Sequence, residues 1–291
     1  MNYRLKKDEP LASGIRRIAR EQLEKAEQEI LGLADEDEGG AVLAMRKHIK
    51  RTRALLRLVR DPLGSKIFKG EDRRLRDVAR GFSGSRDARA LLQSLEKLRE
   101  SAAPKKETFA GTCATLKNEI ATAAKTVGNQ PQQAAATLQQ VCDRLEGWPL
   151  ENLTNENLSA ALKKTYRRGR TCFCLVESNR RTEKFHAWRK RVKDLCYQAQ
   201  ILQNLNQTVL CEMAEGAKNL GRHLGELHDL AFFRQRLETG AKFPEDERAL
   251  LLGLICAREC ELEQVALDLG ARFYAEKPGA FARRLLDHAR D

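Results

Sequence analysis

Two helical stretches of the sequence carry basic residues at a spacing suited to binding an anion. In "FHAWRKRVKDLCYQAQIL", residues 185–202, His186, Arg189 and Lys193 recur at intervals of three and four positions. Because an α-helix turns by about 100° per residue, these side chains share one side of a helix, and Lys190 lies at its margin. Arginine offers a fork of donors and lysine a point charge, so such a row can hold several phosphate groups.

An earlier stretch, "VLAMRKHIKRTRALLRLV" (42–59), has the same design. Arg46, Lys50, Arg53 and Arg57 are four, three and four positions apart. On a helix they fall within about 60° of arc, and apolar residues cover the other side. The stretch therefore predicts a second basic stripe on an amphipathic helix.

Each stretch is followed along the chain by a shorter basic face, Arg76 with Arg80 and Lys218 with Arg222. A charged side opposite an apolar side is also what an ordinary surface helix shows. These faces differ because they contain few carboxylates four positions away, whereas a solvated face mixes signs and avoids like-charge repulsion. The recurrence of the pattern predicts that an anionic ligand offsets the repulsion.

Composition agrees with an anionic partner. The chain has 291 residues and a formal net charge of +12, which favours nucleic acid, anionic lipid or phosphate polymers. No run approaches the roughly 18 apolar residues of a membrane helix, and the first ten residues contain no apolar signal core. We therefore expect a cytoplasmic protein with no membrane partner. The eight cysteines include no C-x-x-C pair, so no metal site is predicted.

Helical periodicity runs through almost the whole chain, and no strand pattern competes with it, which predicts an all-α fold. Loops are predicted at "ADEDEGG" (34–40), "APKK" (103–106), "GNQPQQ" (128–133) and "GWPLENLTNEN" (147–157). The predicted helices lie near 11–33, 40–60, 66–82, 87–100, 105–127, 131–147, 155–178, 182–204, 208–224, 228–238, 244–269 and 278–289.

The sequence also contains a weak internal repeat. Residues 42–59 align with 185–202, and residues 75–92 align with 217–234, in the same order and at a similar separation. Identity is thin, but basic and apolar positions recur in phase. The repeat predicts an internal duplication that yields two similar helical halves.

The motifs resemble those of a known family, the conserved histidine α-helical domain, or CHAD. In its second half the family carries counterparts of "TYRRGR" (165–170), "FHAWRKRVKDLCYQ" (185–198) and "LGELHDL" (224–230). The first-half stretches "VLAMRKHIKRTRALLRL" and "LRDVARGFSGSRDARALL" resemble its first-half motifs. The first half departs in two places: Leu43 stands where the family has a histidine, and Phe82-Ser83 stands where it has Leu-Gly. His48 lies about 140° away around the helix and cannot substitute.

The resemblance implies two pseudo-symmetric helical bundles around a shared basic groove or pore. It implies non-catalytic binding of inorganic polyphosphate and association with polyphosphate granules. We predict a single domain over residues 1–291, with halves at about 8–147 and 148–291. Asp87 and Asp229 are interpreted as helix caps or as residues that orient a basic neighbour. Carried over by position, the polyphosphate-binding residues are Arg46, Lys50, Arg53, Arg57, Arg76, Arg80, His186, Arg189, Lys190, Lys193, Lys218, Arg222 and His228.

Two alternatives stay open: a nonspecific nucleic-acid binder, and an enzyme or regulatory subunit of polyphosphate or nucleotide metabolism. Single-stranded nucleic acid favours aromatic platforms, and aromatic residues make up only 5% of the chain. Nucleic-acid binding is therefore expected to be weak. Phosphoryl transfer needs carboxylates that hold a divalent metal, and the basic stripes contain no such cluster. No G-x-x-x-x-G-K loop occurs, so neither an enzyme nor a cofactor is predicted.

Overall fold

A computed structural model of the chain describes residues 3–32, 38–82, 84–101, 109–124, 130–239 and 243–287. Within these residues the backbone forms α-helices, one short 3₁₀ turn (Leu145–Gly147) and no strand, so the predicted all-α fold is confirmed. The helices are α1 (Leu11–Leu31), α2 (Glu38–Leu58), α3 (Arg60–Gly81), α4 (Gly84–Ser101), α5 (Ala110–Ala124), α6 (Gln130–Asp143), α7 (Asn155–Ser178), α8 (Thr182–Ile201), α9 (Gln207–Thr239), α10 (Glu245–Phe273) and α11 (Pro278–Asp287).

Helix α9 corrects one predicted boundary. The helices predicted at 208–224 and 228–238 are a single helix, so the expected break between them was wrong. The segment contains glycine but no proline. An interior glycine costs a helix only about 1 kcal/mol relative to alanine, which packing against α8 outweighs.

Two predicted loops also need correction. The loop expected at 34–40 is helical from Glu38 onward, and residues 33–37 lie outside the described part of the chain. The loop expected at 128–133 gives way to α6 at Gln130, with Pro131 in the first turn, where proline is tolerated because its missing N–H has no helical partner. The loop expected at 103–106 lies outside the described residues.

Helix α3 contains a kink at Gly64, whose φ of 75° is left-handed. A residue with a Cβ would be strained there, whereas glycine is not. The kink separates a short turn, Arg60–Leu63, from the main body of the helix. The predicted start near residue 66 matches that main body.

The helices pack around one continuous apolar core. Helix α1 packs on α2 and α6, and in the same way α7 packs on α8 and α11. Helix α2 packs on α3, and α8 on α9. This recurrence is what an internal duplication requires, although the duplication itself stays a prediction.

Helices α2 and α8 join the two predicted halves. The Gln198 side-chain amide donates to the Ala54 carbonyl oxygen at 3.1 Å in the buried interface. Arg57 Nη1 donates to Asp194 Oδ1 at 3.2 Å. Because the order of these contacts reverses between the helices, α2 and α8 run in opposite directions. The two basic stretches therefore lie on neighbouring helices.

The rotation of α8 about its axis is fixed by an aromatic contact with α10. Trp188 is fully buried, and a Cβ built at Gly270 would lie 2.6 Å from its ring. Only glycine permits this approach without movement of the rings. Because Trp188 lies away from Arg189 and Lys193 on the helix, its burial turns the basic side of α8 towards α9.

Candidate anion-binding site

Two cations of α8 pack against two glycines of α9. A Cβ at Gly225 would lie 3.7 Å from Arg189 Nε, and a Cβ at Gly221 would lie 3.4 Å from Lys193 Cε. The guanidinium group of Arg189 and the aliphatic stem of Lys193 therefore lie along α9. Such packing restricts their rotamers and holds the charged groups in place before a ligand arrives.

His186 and His228 extend this row by one helical turn. Their Nδ1 atoms are 3.2 Å apart and their ring centroids 4.3 Å apart. Burial, followed by Lys190 and then Arg189, lowers the pKa of His186 below its ordinary value. Without a ligand, these surroundings therefore favour the neutral ring over the charged one. Glu259 of α10 lines the same small space, together with Glu263.

The basic stripe of α2 bonds to carboxylates of neighbouring helices. Arg53 donates from Nε and Nη2 to the two oxygens of Asp72 on α3, at 2.9 and 3.1 Å. Arg57 donates to Asp72 Oδ1 at 3.2 Å and to Asp194 on α8 at 3.2 Å. The scarcity of carboxylates four positions away does not leave this stripe unpaired, because Asp72 and Asp194 reach it through tertiary contacts from α3 and α8.

The two carboxylates respond oppositely to their surroundings. For Asp72, burial raises the pKa, but Arg53 and Arg57 outweigh burial and the net shift is downward. For Asp194, burial dominates over Arg57 and Arg191, and the pKa is raised. The neighbouring arginines therefore offset the cost of burying the charged carboxylate at Asp72 but not at Asp194.

Cations of α2 and α8 lie close enough to affect one another's pKa. Burial lowers the pKa of Lys190, and Arg191, Arg189 and Arg53 on α2 lower it further. Burial also lowers the pKa of Lys193, and Arg189 adds to the effect. A cation whose neighbours depress its pKa is in a region that attracts an anion.

The other predicted residues are less closely grouped. Arg46 donates to the Ala79 carbonyl oxygen, and Lys50 and Arg80 are exposed on α2 and α3. Three further predicted cations bond to residues of their own helix: Arg76 with Asp77 at 3.2 Å, Lys218 with Glu215 at 3.4 Å and Arg222 with Asn219 at 3.2 Å. Among the predicted residues, the structure brings Arg53 and Arg57 together at Asp72, His186 to His228, and Lys190 near Arg189 and Arg53.

The first half has no counterpart of the histidine pair. Leu43, at the position where the family has histidine, is 54% exposed. His48 is buried, and its Nδ1 lies 2.9 Å from Gln22 Oε1. Burial, aided by Arg51, lowers the pKa of His48 to about 4, so it is neutral near pH 7. The interpretation that His48 cannot substitute is confirmed.

The aspartates that follow the basic clusters have different roles. Asp87 is in the first turn of α4, where the helix dipole interacts favourably with a carboxylate. Asp229 lies inside α9 rather than at an end, so its interpretation as a cap was wrong. Its carboxylate opposes the net lowering of the Lys193 pKa and so favours the charged lysine, as a residue that orients a basic neighbour would.

Sequence reasoning missed Gly221, Gly225, Asp72 and Asp194. The glycines had a local signal, because a G-x-x-x-G spacing puts both on one helical face. Asp194 had a weak one, as a lone carboxylate in a basic stretch. Asp72 had none, because only the packing of α3 on α2 brings it to Arg53.

The described residues contain no candidate metal centre. No three histidine, cysteine or acidic side chains converge there in a way that could hold a metal ion. The eight cysteines are free thiols. None of the helices in these ranges is both long enough and apolar enough to cross a membrane.

Comparison with protein families identifies the family to which the helices of this site belong. A family model described as the CHAD domain matches residues 17–238, which is about three quarters of the chain. The matched range includes α2, α3, α7 and α8 and nearly all of α9. No curated protein matches the sequence.

Proposed function

The chain belongs to the CHAD family, and from this we propose that it binds inorganic polyphosphate without catalysing a reaction. One observation carries the proposal: α2 and α8 pack against each other so that Lys190 and Arg53 lie in the same field, next to Arg189 and Lys193. A chain of phosphates supplies negative charge at regular intervals along such a row. Much of its binding free energy comes from released counterions.

The exposed surface supports polyphosphate over nucleic acid. Trp148 and Trp188 are both buried, with 1% and 0% of their surface exposed. Large apolar side chains that are exposed in the described residues are aliphatic. Single-stranded nucleic acid gains about 1–3 kcal/mol for each base that stacks on an aromatic ring, and polyphosphate has no base to stack. A site without aromatic platforms therefore favours the simpler polymer.

The cations of the site differ in how far internal hydrogen bonds already occupy them. Arg57 donates to Arg53, Asp72 and Asp194, so most of its donors are occupied. We infer that it joins the halves and contributes positive potential. Lys190 is exposed, and we propose that it contacts phosphate directly.

The carboxylates of this site support binding rather than catalysis. Metal-assisted phosphoryl transfer needs acidic side chains that are available to a divalent ion. Asp72 and Asp194 instead accept hydrogen bonds from arginine. An enzyme or regulatory subunit is the second candidate, and release of phosphate from polyphosphate in the presence of Mg²⁺ or Mn²⁺ would identify it. Association with polyphosphate granules belongs to the same proposal.

A competition titration tests the proposed function. Labelled long-chain polyphosphate is bound to the purified chain and displaced with unlabelled polyphosphate, transfer RNA or duplex DNA at equal phosphate concentration. We expect polyphosphate to displace the label at a concentration at least about tenfold lower than either nucleic acid, because base stacking adds nothing at this surface. Equal or tighter binding of nucleic acid would overturn the proposal.

Binding should also depend on pH through His186. Protonation of this ring is disfavoured in the free protein by burial, Lys190 and Arg189, whereas a bound polyanion favours it. His228 faces the ring from α9. Binding should therefore take up a proton and strengthen as pH falls from about 8 to about 6.

The size of this effect is set by the change in the pKa of one histidine. A one-unit rise on binding corresponds to about a tenfold gain in affinity. Affinities of the wild-type chain and of His186→Gln are compared across the range, with helicity checked by circular dichroism. If the variant keeps the full pH dependence, His186 is not its source and His228 becomes the candidate.

A further inference from the structure

A separate basic cavity lies between the predicted halves, beside the site described above. Its volume is about 680 Å³, within the range of pockets that bind small molecules. Its walls come from the end of α2, the kinked start of α3, and one side each of α7 and α8. Only Arg57 is shared with the predicted polyphosphate-binding residues.

Cations dominate the polar part of this cavity. Two of the lining residues are acidic, Asp61 and Asp194. Both form ion pairs with lining cations: Lys164 Nζ lies 3.2 Å from Asp61 Oδ2, and Arg191 Nη1 lies 3.5 Å from Asp194 Oδ2. The six cations that line the cavity are Arg57, Arg60, Lys164, Arg167, Arg168 and Arg191.

Arg167 and Arg168 are the cations best placed to meet a ligand. Both are exposed on α7, and neither forms an ion pair within the described part of the chain. With six cations and two acidic residues, the cavity has an excess of four positive charges. A compact ligand with several negative charges would neutralise that excess.

The remaining wall is apolar. Leu58, Pro62, Ala160 and Ala161 line it together with Phe68. A chain of bare phosphates would leave this surface unused, because it has no apolar group to bury. The ligand that uses both parts of the wall therefore carries a flat or apolar group as well as phosphates.

Arg60 joins the two parts of the cavity. Its guanidinium group lies over the Phe68 ring, 4.8 Å from the ring centroid. A guanidinium group is planar, stacks on aromatic rings and can also bond a phosphate. Arg60 can therefore contact both the flat group and the phosphates of such a ligand.

We propose that this cavity binds a nucleoside triphosphate, with the phosphates at Arg167, Arg168 and Lys164 and the base against Arg60 and the apolar wall. The proposal goes beyond the polyphosphate binding that we propose for α2, α8 and α9. It requires no chemical step.

The test is calorimetric titration of the full chain with ATP, without divalent metal, alongside tripolyphosphate and adenosine. We expect ATP to bind at least about fivefold more tightly than tripolyphosphate, because only ATP has a ring to stack. In the double variant Arg167→Gln/Arg168→Gln, ATP affinity should fall by at least about tenfold. The matched control is Arg180→Gln/Arg181→Gln. These two neighbouring arginines are also exposed, but they do not line the cavity.

Each outcome decides one part of the proposal. Equal affinity for ATP and tripolyphosphate would remove the ring-binding role of the wall. Equal loss in both double variants would mean that ATP responds only to net charge, and the cavity would be discarded. If ATP fails to bind while long-chain polyphosphate binds as expected, the cavity proposal fails and the proposed function stands.

Discussion

Raising the salt concentration from 50 mM to 200 mM is expected to weaken polyphosphate binding by about two to three orders of magnitude. A flexible single strand of charges loses affinity with a logarithmic slope of about 0.7 for each phosphate neutralised, and about six contacts give a slope near 4. The cations of α8, with Lys50, Arg80, Lys218 and Arg222, provide enough contacts for that number. Affinity measured at four or more salt concentrations gives the slope directly.

The slope also separates this site from a small phosphate pocket. A ligand held by one or two cations would give a slope near 1, since few counterions are released. Tripolyphosphate, which is too short to span the row, should show a shallower slope than the long chain. A flat response for the long polymer would contradict the proposed polyelectrolyte site.

The second large effect is expected from Lys190→Glu. This change reverses an exposed charge that lies near Arg189 and Arg53 and should weaken polyphosphate binding by at least about tenfold, while lowering the salt slope by about 1. Lys117→Glu on α5 is the matched control, because Lys117 is exposed and lies outside the basic helices. It makes the same change in net charge and should alter affinity much less.

Lys190→Glu should leave the fold at least as stable as before. Burial and three neighbouring cations lower the pKa of Lys190, so the folded state disfavours its charged form. This unfavourable contribution is present while the lysine is charged, and it is relieved as pH rises from the lowered folded pKa to the unfolded pKa. The variant replaces repulsion from Arg191, Arg189 and Arg53 by attraction, which offsets the burial of the new carboxylate. Thermal unfolding with an unchanged or higher midpoint, together with weaker binding, is the expected pair of results.

A variant that binds like the wild type would remove Lys190 from the site. A variant that unfolds early would instead show that the side chain is needed for packing. Lys193→Gln then serves as a second probe, because it removes one charge of the row without creating a new one. Its affinity should also fall, since its side chain is held along α9 at Gly221.

Much of the helical framework follows from local sequence. Apolar residues at a period near 3.6 identify each helix, and the basic residues of 185–202 fall on one side for the same geometric reason. Boundaries were less certain where local signals conflict. The continuous α9 shows this, because its glycines weaken the helix locally while their contact with α8 requires it to continue.

The sequence by itself determined the all-α fold, the basic stripes and the family, because helical period and motif spacing are properties of neighbouring residues. Only the tertiary structure decided which cations are occupied by internal partners. Asp72 meets Arg53 across 19 positions of sequence, and Asp194 meets Arg57 across 137. No local pattern encodes such pairs, because they depend on how two helices approach. Burial in the folded chain also lowers the pKa of His48 and of His186 below the ordinary value of histidine, a shift that depends on tertiary packing.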